Sequence, residues 1–205
     1  MKIHADILQG SEDWFDLRLG RIGSTDASSL VVVGKSKSTL GTGAITMLYE
    51  KSAEIITGEH KSHYRSEAMD RGSELEPVAR REYEDRELKK IKEVGYISKG
   101  DYFGYSPDGL IGDNGLVEIK CPEGPEFVRY SITNKISKAY YAQVQWALWI
   151  SDREWCDFVV FNPDFPNSML VNRITPDKDI QERFDKASEE FNKSLSKILE
   201  RLRRR

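Results

Sequence analysis

Ser106-Pro107-Asp108-Gly109-Leu110-Ile111-Gly112-Asp113-Asn114-Gly115-Leu116-Val117-Glu118-Ile119-Lys120-Cys121 is the stretch from which the rest of the 205-residue chain is read. Apolar runs flank Asp113-Asn114-Gly115, a turn sequence, so the stretch reads as a hairpin whose second strand runs from Leu116 to Cys121. Side chains alternate along a strand, which puts Glu118 and Lys120 on one face, about 7 Å apart. A two-residue turn at Asp113-Asn114 would pair residue 109 with 118 and send Asp108 to the other face. A three-residue turn, with Gly115 supplying positive φ, pairs 110 with 118 and 108 with 120. The second register is adopted, because it gathers two carboxylates and an ammonium in one place.

That trio suits chemistry better than packing. Two carboxylates, with the backbone carbonyl of Ile119 between them, fit a hard divalent ion that takes oxygen ligands and keeps some of its waters. Lys120 beside them can orient a water, stabilise developing negative charge or take part in proton transfer. Phosphodiester hydrolysis needs these parts. Glu-x-Lys alone reads as a salt-bridged surface hairpin, which is common; Pro107-Asp108-Gly109 upstream and the apolar strand around it favour the catalytic reading.

Outward from this hairpin the chain reads as helices, a meander of strands, a helix, a strand and a last helix. Ser11-Glu12-Asp13 opens a short capped helix ahead of Trp14, followed by a Gly-punctuated loop to Leu30. Thr42 to Thr57 is helical, closed by Gly58. A further helix covers much of Ala68 to Lys90; Pro77 either lies in its first turn or kinks it, and both options put Glu76 at a break. Strand-like runs follow at Val94 to Ser98 and Tyr102 to Tyr105, then a helix from Ser137 to Ile150 and a strand from Asp157 to Asn162. Ile180, Phe184, Ala187, Phe191, Leu195, Ile198 and Leu202 recur at helical spacing in a C-terminal helix over about 177–202. The expected class is α/β (α+β): a central mixed β-sheet flanked by helices, in a single domain over 1–205.

Composition removes several alternatives. With Cys only at 121 and 156, a disulfide framework, a four-Cys zinc site and a four-thiolate iron–sulfur cluster are excluded within one chain. Cys121 reads as a small buried strand residue. No apolar run of about 18 residues exists, and Met1-Lys2-Ile3-His4-Ala5-Asp6 lacks an apolar signal core, so the chain is expected to be neither secreted nor membrane-spanning. The net charge of −3 leaves a nucleic-acid partner open, since a locally basic channel can coexist with an acidic exterior; Lys35, Lys37, Arg65, Arg71, Arg80, Arg81 and Arg86 cluster in the first half. Gly34-Lys35-Ser36 is not a triphosphate-binding loop, because Ser29 stands where that motif needs Gly. His60 and His63 read as solvated, and Tyr140, Tyr141, Trp146, Trp149 and Trp155 as core.

Five blocks in order carry a family resemblance: Trp14-Phe15-Asp16-Leu17-Arg18-Leu19-Gly20, Arg71-Gly72-Ser73-Glu74-Leu75-Glu76, Ser106-Pro107-Asp108-Gly109, Glu118-Ile119-Lys120-Cys121-Pro122 and Ala139-Tyr140-Tyr141-Ala142-Gln143-Val144-Gln145-Trp146. The chain resembles the lambda exonuclease and YqaJ-like viral recombinase nucleases of the PD-(D/E)xK superfamily, with their restriction-endonuclease-like core. The resemblance implies a Mg²⁺-dependent exonuclease, with Mn²⁺ as a substitute, that degrades one strand of linear duplex DNA 5′→3′ and leaves 3′ overhangs for recombination. It implies metal ligation by Asp108, Glu118, Glu76 and the Ile119 carbonyl, with Lys120 catalytic beside Glu118 and Asp108. Arg18 matches the 5′-phosphate reader, a natural task for a guanidinium; Ser106 and Thr25 are further candidates for the same pocket. On surface spacing alone, Arg18 could equally pair with Asp16 or Glu12.

The family's glutamine helix maps onto Gln143 and Gln145. Gln145 is preferred for the active site, because it shares a helical face with Tyr141 and Trp149. Met69 falls near a position that can wedge into the duplex end. The resemblance also implies a ring-shaped homotrimer, a single-strand annealing partner of the RecT/Red-beta type, and a phage or prophage protein acting in the bacterial cytoplasm. Two other readings share the residues: a restriction- or repair-type endonuclease, and a non-catalytic DNA-binding protein on a nuclease fold.

Overall fold

The computed structural model describes residues 1–31, 40–60 and 67–204. Gly34-Lys35-Ser36, Lys37, His63 and Arg65 lie outside the described residues. In chain order the elements are β1 (Lys2–His4), α1 (Glu12–Arg18), a 3-10 turn (Ser24–Asp26), α2 (Ala27–Val31), α3 (Thr42–Thr57) and α4 (Glu67–Glu87). Next come β2 (Ile91–Lys92), β3 (Tyr96–Lys99), β4 (Phe103–Tyr105), β5 (Gly109–Ile111) and β6 (Gly115–Lys120). The chain continues through α5 (Gly124–Thr133), α6 (Lys138–Ser151), β7 (Trp155–Phe161), β8 (Met169–Ile174) and α7 (Lys178–Arg203).

Two sheets form, a three-stranded β1-β3-β4 and a five-stranded β2-β5-β6-β7-β8. In the larger one only β6 and β7 run parallel, and the helical crossover between them, α5 and α6, is what a parallel pair requires. The expected mixed sheet flanked by helices is the architecture found. Strand alternation divides β6: Leu116 belongs to the core built with α6 and α7, whereas Val117 and Ile119 belong to a second apolar cluster with Ala79 and Tyr83 of α4. Glu118 and Lys120, in phase with Leu116, therefore face the α6 side. Trp146 is fully buried and meets the edge of Phe184 with ring centroids 5.1 Å apart, joining α6 to α7. Among the described residues no helix is long and apolar enough to cross a membrane.

Several boundaries follow local signals. Ser11 caps α1, Ser137 caps α6 through the Tyr140 N–H, and Gly58 ends α3 at φ 69°. Phe184, Ala187, Phe191, Leu195 and Leu199 form the buried stripe of α7, while Leu202 is exposed.

Three expectations are corrected. The β5–β6 ladder pairs Gly109 with Val117 and Ile111 with Gly115, so the turn is Gly112-Asp113-Asn114, with the positive φ (53°) at Gly112. Continued by one step, this ladder sets Asp108 opposite Glu118 rather than Lys120; the face is as expected and the register is shifted by two. Gly115 is instead a strand residue lying under Trp155, where a Cβ would stand 2.2 Å from the indole. Second, α4 passes through Pro77 without interruption, so Glu76 is not at a break. Third, the short or half-buried elements β1, α2, β2, α5 and β8 form where no element was expected.

Candidate active site

Asp108 is positioned by the start of β5. A Cβ at Gly109 beside it would lie 2.1 Å from Ile91 Cγ2 on β2, so any larger residue there would displace that side chain. The β5–β6 ladder stops at Gly109, and the Ile119 N–H beyond it is donated to Asp108 Oδ2 at 2.6 Å. In an antiparallel ladder the N–H and C=O of one residue point to the same side, so the Ile119 carbonyl is aimed toward Asp108 as well. Glu118 is only 5% exposed, and its Oε1 accepts from Lys120 Nζ at 2.7 Å. Lys120 Nζ also lies 5.3 Å from the Tyr140 ring centroid, which closes the site from α6.

Negative charge is in excess here. Burial, and then the charges of Glu118 and Glu76, hold the Asp108 carboxyl well above the usual carboxylate range, against the pull of Lys120 and the Ile119 N–H. Burial would lower the Lys120 ammonium, but Glu118 and Asp108 outweigh it and hold the group above an ordinary lysine. The half-buried Cys121 thiol is pushed up to about 12 by burial, then by Glu76 and Asp108, with Arg71 and Lys120 opposing. With Glu76 paired to Arg80, the Lys120 ammonium alone faces Asp108 and Glu118, and a hard divalent cation would balance the second carboxylate.

Glu76 reaches the same region from α4. It lines a cleft of about 420 Å³ with Asp108, Gln9, Pro107, Arg80 and Glu93. Its carboxylate is held by Arg80, which also bonds Glu93. Among the described residues no three acidic, His or Cys groups are gathered to hold an ion. Asp108, Glu118 and the Ile119 carbonyl are the oxygen groups that would face a hard cation here, with Glu76 adjacent and turned toward Arg80.

Two of the residues expected to read a phosphate meet. Arg18 donates to Ser106 Oγ at 3.2 Å, Trp14 Nε1 donates to the same oxygen at 2.8 Å, and the guanidinium stacks 4.2 Å from the Trp14 ring centroid. Arg18 is therefore not used in a surface pair with Asp16 or Glu12. Burial lowers its affinity for a proton, while Tyr96 and Asp26 raise it; a guanidinium stays charged throughout. Thr25 is exposed on the 3-10 turn and shares with Arg18 a separate cavity of about 220 Å³. Trp14 was not singled out from the sequence, although its spacing of four from Arg18 on a helix was visible.

Gln145 is not brought to the acids. It is fully buried, its Nε2 donates to the Thr175 carbonyl, and its Oε1 accepts from the Asp177 N–H and Gln181 Nε2. Tyr141, Gln145 and Trp149 do share a face, but that face packs on the start of α7, where Trp149 Nε1 bonds Asp185. Gln143 is half-buried on α6, three residues after Tyr140, whose ring lies against Lys120. Met69 is 54% exposed in the first turn of α4. His60 is half-buried with its ring edge-on to Phe15, rather than solvated. Trp146 and Trp149 are core, whereas Tyr140, Tyr141 and Trp155 are half-buried.

The family model of the YqaJ-like viral recombinase domain matches residues 13–154, a span holding Arg18, Glu76, Ser106, Asp108, Glu118 and Lys120. The structure is similar to an alkaline exonuclease from Laribacter hongkongensis, with a TM-score of 0.80 and 31% identity over 95% of this chain and 97% of the other. A complex of that exonuclease with dAMP matches equally, again at 0.80 and 31% over 95% and 97% of the two chains. A phage-related exonuclease from Haemophilus somnus shares the fold at a TM-score of 0.71 and 16% identity, over 89% of this chain and 96% of the other. No curated protein matches the chain.

Proposed function

Because the chain belongs to the YqaJ-like viral recombinase family, we propose that it is a Mg²⁺-dependent exonuclease. It degrades one strand of linear duplex DNA 5′→3′ from a 5′-phosphorylated end and leaves 3′ overhangs for strand-annealing recombination. The observation that carries this reading is the meeting of Asp108, Glu118 and Lys120 at the end of the β5–β6 ladder, with Arg18 bonded to Ser106 two residues away. The dAMP complex of the Laribacter exonuclease supports a mononucleotide product.

Asp108 and Glu118 would hold the ion, with the Ile119 carbonyl and Glu76 as further oxygen donors. When bound, Mg²⁺ supplies an acidified water and charge neutralisation at a phosphoryl oxygen. The chain's own residues do the rest. Glu118, by accepting from Lys120, keeps that lysine charged and fixes it beside the acids. The ammonium has two further donors for the attacking water or a non-bridging phosphate oxygen. Both lone pairs of Ser106 Oγ are taken by Trp14 and Arg18, so its hydroxyl proton is left to donate outward, to a terminal phosphate gripped by Arg18. Half-buried Gln143 replaces Gln145 as the glutamine of this site.

The test is digestion of a linear duplex with a 5′-phosphate on one strand and a 5′-hydroxyl on the other, with Mg²⁺ or EDTA, beside a closed circular duplex. Selective, Mg²⁺-dependent loss of the phosphorylated strand with the circle intact is expected. Cutting of the circle would make the protein an endonuclease, and binding without cutting would make it a non-catalytic DNA-binding protein. The ring-shaped trimer belongs to the same proposal; sedimentation as a monomer across micromolar concentrations would remove it.

A further inference from the structure

Arg71 on α4 is a cation that makes no hydrogen bond to any residue of the site described so far. It continues the stripe Leu75, Ala79, Tyr83 at steps of four, the stripe that packs on Val117, Ile119 and Cys121 of the sheet. One turn before Leu75 the stripe reaches Arg71, near enough to Cys121, which follows Lys120 at the end of β6, for its charge to act on that thiol. Its Nε is buried with no hydrogen-bond partner among the described residues. Its ion-pair acceptor is Asp164 Oδ2 at 3.9 Å, longer than a hydrogen bond, on a side chain that is 76% exposed. A guanidinium carries five N–H donors and cannot shed its charge by titration. A half-buried one with a buried, unpaired donor is a site waiting for an acceptor of two or more oxygens.

We propose that Arg71 anchors a backbone phosphate of the DNA strand lying across the Lys120 end of β6, next to the phosphate being cut. The inference rests on the DNA-cleaving reading above and adds a contact outside the acids and the Arg18 pocket. The bland alternative is a brace, with Arg71 tying α4 to the β7–β8 turn through Asp164. The two differ in salt dependence, because a phosphate contact releases a counterion and a brace does not.

The experiment measures equilibrium binding of a 5′-phosphorylated linear duplex, by fluorescence anisotropy in EDTA, across a series of salt concentrations. Wild type, Arg71→Gln, Arg71→Lys and Asp164→Asn are compared, with thermal melts of each. Arg71→Gln is expected to bind every duplex sequence more weakly and to lower the slope of log K against log salt by about 0.9, while Arg71→Lys keeps the slope. Asp164→Asn, which removes a competing carboxylate, is expected to tighten binding. An unchanged slope in Arg71→Gln overturns the proposal. Should that variant not fold, Asp164→Asn decides: lower melting with unchanged binding is the brace, and tighter binding is the anchor. Absence of duplex binding by the wild type would overturn both the anchor and the nuclease reading; binding and cleavage by a wild type whose slope Arg71→Gln leaves unchanged overturn the anchor alone.

Discussion

Asp157, on β7, and Asp108, which leads into β5 two strands away, are acids in opposite electrostatic conditions. Asp157 on β7 stands opposite Val117 in the ladder, one residue from the pairing of Glu118 with Phe158. It is 1% exposed and receives bonds from Arg173 Nε (2.8 Å), Tyr83 Oη (2.6 Å) and Lys89 Nζ (3.1 Å). Burial alone would raise its carboxyl, yet the bonds from Arg173, Tyr83 and Lys89 hold it below the usual value. On the other face, burial and the charges of Glu118 and Glu76 hold Asp108 well above that value. An acid that the fold has fully satisfied ties elements together. An acid left short of positive charge is the arrangement that a bound cation would satisfy.

The comparison can be broken at four points, from the largest expected effect to the smallest. Glu118→Gln should cut the rate of duplex digestion by at least about a thousandfold, ~4 kcal/mol in activation free energy, while gel-shift affinity for duplex and the melting curve hold. Digestion at the wild-type rate would sink the site assignment.

Asp157→Ala should do the reverse: nuclease chemistry intact in the folded fraction, and stability in urea lower by about 3 kcal/mol, the scale for removing one partner of a buried ion pair. The pH dependence has a definite sign. With its folded pKa depressed, Asp157 contributes stability above the unfolded carboxylate value of about 3.9, and that contribution is lost as pH falls through the lower folded value. Urea midpoints followed down from neutral pH should drop more steeply for wild type than for Asp157→Ala; parallel curves would mean that the cluster is not stabilising.

Arg18→Ala should shrink the preference for 5′-phosphorylated over 5′-hydroxyl ends by about 10- to 100-fold, a scale set by charge-assisted hydrogen bonds. A ratio of initial rates equal to wild type would remove Arg18 from end recognition. Smallest of all, Asp108→Asn in EDTA should be neutral or stabilise by up to about 1 kcal/mol, because it keeps an acceptor for the Ile119 N–H and removes a charge that its neighbours oppose. A loss of 2 kcal/mol or more in urea titrations would show that Asp108 belongs with Asp157 as a structural acid.

Much of the site was legible in the sequence, because its parts are close in the chain. Strand alternation places Glu118 and Lys120 on one face in any register, and parity of the turn places Asp108 with them. The register itself depended on which glycine took positive φ, and packing of Gly115 beneath Trp155, 40 residues away, assigned that role to Gly112. Likewise Tyr141, Gln145 and Trp149 were correctly placed on one helical face, but periodicity does not say what a face meets. That face meets α7, so the amide of Gln145 is consumed by Thr175, Asp177 and Gln181.

The sequence by itself determined the elements with strong periodicity or clear caps, the α/β class and the Asp-Glu-Lys trio, since these rest on local sterics and on spacing within a strand or helix. Tertiary structure alone decided that Arg18 meets Ser106, that Glu76 turns to Arg80, and that Asp157 is satisfied where Asp108 is not. Those outcomes depend on charges brought together from distant parts of the chain, and their balance is set by burial that only the packed molecule creates.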